Sequence, residues 1–142
     1  MRVALDGEVE ALTESIIGAG YEVYNGLGHG FVEAVYKKAL VCELQRRRLE
    51  VGHEVPFQID YKGNNVGTYY ADLVVERHVI VELKAVESLL PIHARQVLNY
   101  LRPSGLGVGL LFNFGGSSLT FRRVLLDRPG SVKSVPQSVK SV

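Results

Sequence analysis

The chain has 142 residues, close to the commonest size of one domain, and is long enough to bury a core without disulfide or metal staples. At 46% apolar and 22% charged residues it is not a chain disordered throughout, and no apolar run approaches the ~20 residues of a membrane span. A net charge of +1, from 16 Lys+Arg against 15 Asp+Glu, lacks the basic excess of many DNA-binding domains, although Lys37-Lys38, Arg46-Arg47-Arg48 and Arg122-Arg123 form local basic clusters.

Met1–Asp6 turns acidic without an apolar core, so no secretory leader is read and a cytoplasmic, soluble protein is expected. Residues 8–24 read as a helix, because Leu12, Ile16, Ala19 and Val23 recur at helical steps. The glycine-rich stretch from Asn25 to Gly30 breaks it. That stretch follows no buried strand, so it reads as a turn and not as a phosphate cradle. A second helix is expected over about 31–49, with either Val35, Ala39 and Cys42 or Leu40 and Leu44 facing inward. Cys42 is the sole cysteine, which excludes an internal disulfide and a cysteine zinc site; it reads as a small buried hydrophobe.

The period then changes from helical to alternating. Residues 53–62 carry Val55, Phe57, Ile59 and Tyr61 on one face, and Gly63-Asn64-Asn65 forms a turn. Strands over 66–76 and 78–85 follow, joined so tightly at Glu76-Arg77-His78 that they form an antiparallel hairpin. Pro91 suits the first turn of a helix reaching about Leu101, with Ala94, Val97, Leu98 and Leu101 inward and Pro103 and Gly105 as stops. Val108–Phe114 is apolar enough to be buried on both faces, and Gly115-Gly116 turns into a last strand over 118–125. From Arg128 the composition shifts to a repeated Ser-Val-Lys-Ser-Val. The expectation is a domain over 1–127 and a flexible tail over 128–142. The element order predicts an α/β domain whose central mixed β-sheet is flanked by helices, with a right-handed parallel crossover over about 78–114.

A hairpin centred on Arg77 sets Asp72 and Glu82 five residues to either side, directly opposite each other on one face with Val74, Ile80 and Lys84. Ala71, Leu73, Val75, Val79, Val81 and Leu83 form the other, uniformly apolar face, which is the expected core side. Opposed carboxylates repel unless a cation lies between them. A divalent metal meets that need, and Lys84 beside it would complete a hydrolytic set. The alternative is a cross-strand salt bridge on a solvated face, and a one-residue slip would separate the pair. On the following helix Gln96 and Tyr100 lie opposite the apolar stripe, with His93 at i−3, either as an ordinary exposed face or facing the carboxylates. Glu33 reads either as the partner of Lys37 at i+4 or as a third carboxylate for the metal.

Gly30-Phe31-Val32-Glu33-Ala34-Val35-Tyr36 resembles the motif that gives the GxxExxY proteins their name. Further similarity lies in Tyr70-Ala71-Asp72-Leu73-Val74-Val75, Val81-Glu82-Leu83-Lys84-Ala85-Val86, Gln96-Val97-Leu98-Asn99-Tyr100-Leu101 and Gly109–Gly115. That family is placed in the PD-(D/E)XK nuclease superfamily. The resemblance, over about 8–125, implies a restriction-endonuclease-like core and a nuclease dependent on Mg²⁺ or Mn²⁺, acting on DNA. It implies Asp72, Glu82 and Lys84 as the acidic-basic motif, with Ala71 where the motif name has proline. Glu33 matches the helical acid, and Gln96 with Tyr100 resembles the Q-x-x-x-Y signature of RecB-type nucleases. Asp72, Glu82 and Glu33 would hold the metal, with the Val81 or Leu83 carbonyl contributing. Lys84 and Gln96 would assist, and Tyr100, Tyr36 and Lys37 would meet the substrate. A binding module or partner-dependent accessory without turnover is the alternative, and homodimerisation stays open.

Overall fold

The computed structural model describes residues 2–126 and 139–141, with side chains described for 7–126. Helix α1 (Arg2–Leu27) extends beyond its expected limits, and α2 spans Glu33–Arg46. The strands are β1 (Val51–Tyr61), β2 (Asn64–Val75), β3 (Val79–Lys84), β4 (Val108–Asn113), β5 (Thr120–Leu125) and β6 (Val139–Ser141), with α3 (Pro91–Ser104) between β3 and β4. They form one sheet in chain order, β1-β2-β3-β4-β5-β6. The β3–β4 pair is parallel and the others are antiparallel, so the sheet is mixed as expected. No helix among the described residues is long and apolar enough to cross a membrane. Residues 127–138, which make up most of the expected tail, lie outside the described residues; 139–141 pair with β5.

The sheet is covered on both sides, a correction to the single core face expected of the β2–β3 hairpin. Leu73, Val75, Val79, Val81 and Leu83 join Leu110, Phe112 and Phe114 beneath α1 and α2. Ile80, Leu111 and Val124, with part-buried Val74, pack against Ala94, Val97, Leu98 and Leu101 of α3. A β3–α3–β4 crossover places a helix on one face, and α1 and α2 take the other, so β3 is buried from Val79 to Leu83, with Lys84 half-buried at its end. Each large apolar side chain fully buried here contributes about 1.5–3 kcal/mol.

Three local expectations change. In α2 the inward stripe is Tyr36, Leu40, Val41 and Leu44, while Val35 and Cys42 are exposed. Two apolar stripes competed there, and the bulkier one won the core. Pro103 does not stop α3 but sits in its last turn; Gly105, at φ 76°, ends the helix, its amide bonding Leu101 O at 3.2 Å. A left-handed residue after a helix favours glycine because it carries no Cβ. Ala71 leaves the Leu73 face and joins the α3 cluster instead.

That last change marks a switch in the sheet. Val51 packs with the α1/α2 cluster and Phe57 with the α3 cluster, although even spacing in a regular strand keeps residues on one face. Leu73 and Ala71 part in the same way. The exchange falls between the pairs His53↔Leu73 and Val55↔Ala71, at Glu54 and Asp72. Glu54 has φ 49°, a left-handed conformation uncommon outside glycine. Further along, β1 carries Pro56 and a register shift at Ile59/Asp60.

Candidate active site at the divergence of two strands

The hairpin register places the acidic pair. Leu73↔Val81, Val74↔Ile80 and Val75↔Val79 pair as a hairpin centred on Arg77 requires. Glu76 and Arg77 both take positive φ, and His78 N–H donates to Val75 O at 3.0 Å. Such a turn matches the strand twist and fixes register without slippage. Continuing one step beyond Leu73↔Val81 sets Asp72 against Glu82.

There the backbone ladder gives way to side chains. The Asp72 N–H donates to Glu82 Oε2 at 2.7 Å, and the Leu83 N–H donates to Asp72 Oδ2 at 3.0 Å. Each carboxylate thus satisfies an amide of the opposite strand, which locks both side chains in place. Glu82 is 6% exposed. Burial, followed by the Asp72 charge, pushes its carboxyl up to about 8 against the pull of the Asp72 amide and of Lys84.

The other expected residues fall into two groups. Glu33 and Lys84 share the field of the pair. Burial and then the Asp72 charge raise the pKa of Glu33, while Lys84 and Lys37 oppose that rise. Lys84 ends β3, half-buried, and forms no ion pair with Asp72 or Glu82, so the cross-strand salt bridge expected as the alternative is not made. Tyr100 of α3 also lies in this field: burial, Glu82 and Asp72 raise its hydroxyl to about 12, and its ring meets Tyr69 edge-on at 5.3 Å. Gln96 is exposed and has no hydrogen bond to Lys84. The His93 Nδ1 accepts the Leu90 N–H at 3.0 Å, closing the first turn of α3.

Tyr36 is corrected from a substrate contact to a buried strut. It is fully buried and stacks on Phe114 at 4.6 Å; its hydroxyl donates to Gly28 O at 2.6 Å and accepts the Phe31 N–H at 3.2 Å. It shapes the loop before α2. Tyr24 and His29 both donate to Gly116 O, at 2.9 and 3.0 Å, and so join that loop region to the β4–β5 turn. Asn113, which is also buried, binds the Val86 N–H and C=O and the Gly115 N–H, fastening the chain after Lys84.

Lys37 does not pair with Glu33. Its ammonium bonds Glu54 and lies 3.4 Å from Asp72 Oδ1. Sequence reasoning missed Glu54, yet the signal was present: Glu54 and Asp72 lie nine residues either side of Gly63, the centre of the first hairpin. Glu54, Asp72 and Glu82 therefore stand in a row across three strands.

No group of three His, Cys, Asp or Glu side chains able to hold a metal ion forms among the described residues, so Glu33 does not close a three-carboxylate set with Asp72 and Glu82. The two-carboxylate set that does form suits magnesium or manganese. Both prefer hard oxygen donors, and magnesium is commonly held by one or two carboxylates with waters and substrate phosphates. A buried Glu82 carboxyl, raised by burial and by the Asp72 charge, is also the donor chemistry that a divalent ion relieves.

A family model described as the PD-(D/E)XK nuclease superfamily matches residues 10–124. No curated protein and no solved structure matches the chain.

Proposed function

The chain belongs to the PD-(D/E)XK nuclease superfamily, and on that premise we propose that it is a metal-dependent nuclease of the GxxExxY kind that hydrolyses phosphodiester bonds of DNA. The observation that carries this reading is the crossed pair of hydrogen bonds that holds Asp72 and Glu82 together at the strand divergence.

In this reading Asp72 and Glu82 hold one magnesium or manganese ion. The bound ion supplies Lewis acidity toward a phosphodiester and its attacking water. Glu82 must lose its proton to act as a ligand, and burial opposes that loss until about pH 8 in the metal-free protein. Lys84, adjoining Glu82 along β3, orients the attacking water and offsets charge growing on the phosphoryl oxygens. Glu33 acts through water from the first turn of α2. Exposed Gln96 contacts a phosphate, and Tyr100 borders the substrate. A second subunit or partner protein would supply sequence preference, which suits the near-neutral charge of the chain.

The test is Mn²⁺ calorimetry with plasmid and single-strand DNA and RNA cleavage, on the parent chain and on Asp72→Ala. Metal binding and cleavage that both vanish in the variant support the reading. Tight DNA binding with no cleavage in any metal would replace it with a binding module.

A further inference from the structure

Among the described residues Lys84 forms no ion pair with Asp72 or Glu82. Lys37 reaches Asp72 instead, from α2, with its ammonium 3.4 Å from Oδ1. The same ammonium bonds Glu54. Glu54 itself takes the left-handed conformation, at φ 49°, where β1 exchanges faces opposite Asp72.

We propose that Lys37 is the resident counterion of the metal-free site, and that Glu54 is the seat to which it withdraws when a divalent cation binds Asp72. Both are positioning residues, and neither needs to touch the substrate. The inference rests on the metal reading above and adds a competitor to it. One ammonium and one divalent ion contend for Asp72, and Glu54 lowers the cost of the exchange by keeping the displaced ammonium paired. Lys37 is 23% exposed and Glu54 56%, so the ammonium can shift within a solvated space without being stranded.

Opposite effects of the two partners give the decisive test. Mn²⁺ alone, without nucleic acid, is titrated calorimetrically into the full chain, Lys37→Met, Glu54→Gln and Asp72→Ala. Lys37→Met should tighten Mn²⁺ binding several-fold, because the competitor is gone. Glu54→Gln should weaken it several-fold, because Lys37 then pairs with Asp72 alone. Thermal denaturation without metal should show Lys37→Met melting lower than the parent, with a larger rise on adding Mn²⁺. A merely structural role would move both affinities the same way. If Lys37→Met does not fold, Lys37→Gln keeps a polar head without the charge. Affinities unchanged in both variants, or weakened in both, overturn the counterion role, while loss of parent binding in Asp72→Ala keeps the metal reading intact. A parent that binds Mn²⁺ no better than Asp72→Ala overturns both.

Discussion

The β2–β3 hairpin contains two regions that obey different rules. From Leu73 to Val75 the strands form an ordinary ladder, with buried apolar side chains toward both helical layers. At Asp72, one residue away, carboxylates replace the partner strand's carbonyls as acceptors. The first region needs only burial to set its register. The second uses that register, since a one-residue slip would turn each acidic side chain to the opposite face. On the proposed function, stability and chemistry are divided between neighbouring residues: the apolar pairs stabilise the fold, and burial disfavours the charge on Glu82.

The sharpest break of this division is Asp72→Ala. Cleavage should fall by about 10³-fold or more, a loss of at least about 4 kcal/mol in transition-state stabilisation, while circular dichroism stays that of a folded protein. The converse is Phe112→Ala, beneath the same sheet. It should cost about 3–5 kcal/mol by urea denaturation through the cavity left by a fully buried ring.

Glu82 sharpens the comparison through pH. Its carboxyl titrates near 8 in the metal-free fold against 4.5 for an ordinary glutamate, so between these values the folded state holds more protons than the unfolded chain. Its contribution is full below about pH 4.5 and is lost as pH rises through 8. Melting temperatures of the metal-free parent should fall over this window, and Glu82→Gln should flatten the profile. Mn²⁺ affinity should rise over the same window, by up to about tenfold per unit, because one proton must leave.

Tyr36→Phe is a smaller test, away from the acidic pair. It removes the hydroxyl shared by Gly28 O and the Phe31 N–H and should cost about 1–2 kcal/mol by thermal denaturation. Smallest is Glu43→Ala, which removes the exposed i,i+4 pair with Arg47; about 0.3–0.5 kcal/mol and unchanged cleavage are expected.

Much of this was legible because the hairpin turn is short. Glu76-Arg77-His78 left little freedom in register, so the opposition of Asp72 and Glu82 followed from counting. The stripe of α3 was equally clear, since Ala94, Val97, Leu98 and Leu101 have no apolar rival on that helix. Helix α2 was ambiguous because Val35, Ala39 and Cys42 compete with Tyr36, Leu40 and Leu44, and periodicity alone does not weigh side-chain size. Tyr36 was misplaced for a related reason: a motif tyrosine reads the same whether its hydroxyl meets a ligand or a loop carbonyl. The pairing of Lys37 with Glu54 falls at a face exchange in β1, and a strict two-residue alternation cannot express a positive φ inside a strand.

That irregularity also bears on self-association. β1 is one margin of the sheet, and an exposed margin invites another chain to extend it. Glu54 turns the backbone out of line, Pro56 offers no amide, and the register shift at Ile59/Asp60 bends what remains. The opposite margin, β6, is three residues long. The irregularity that seats Glu54 thereby leaves the β1 border unsuited to polymerisation.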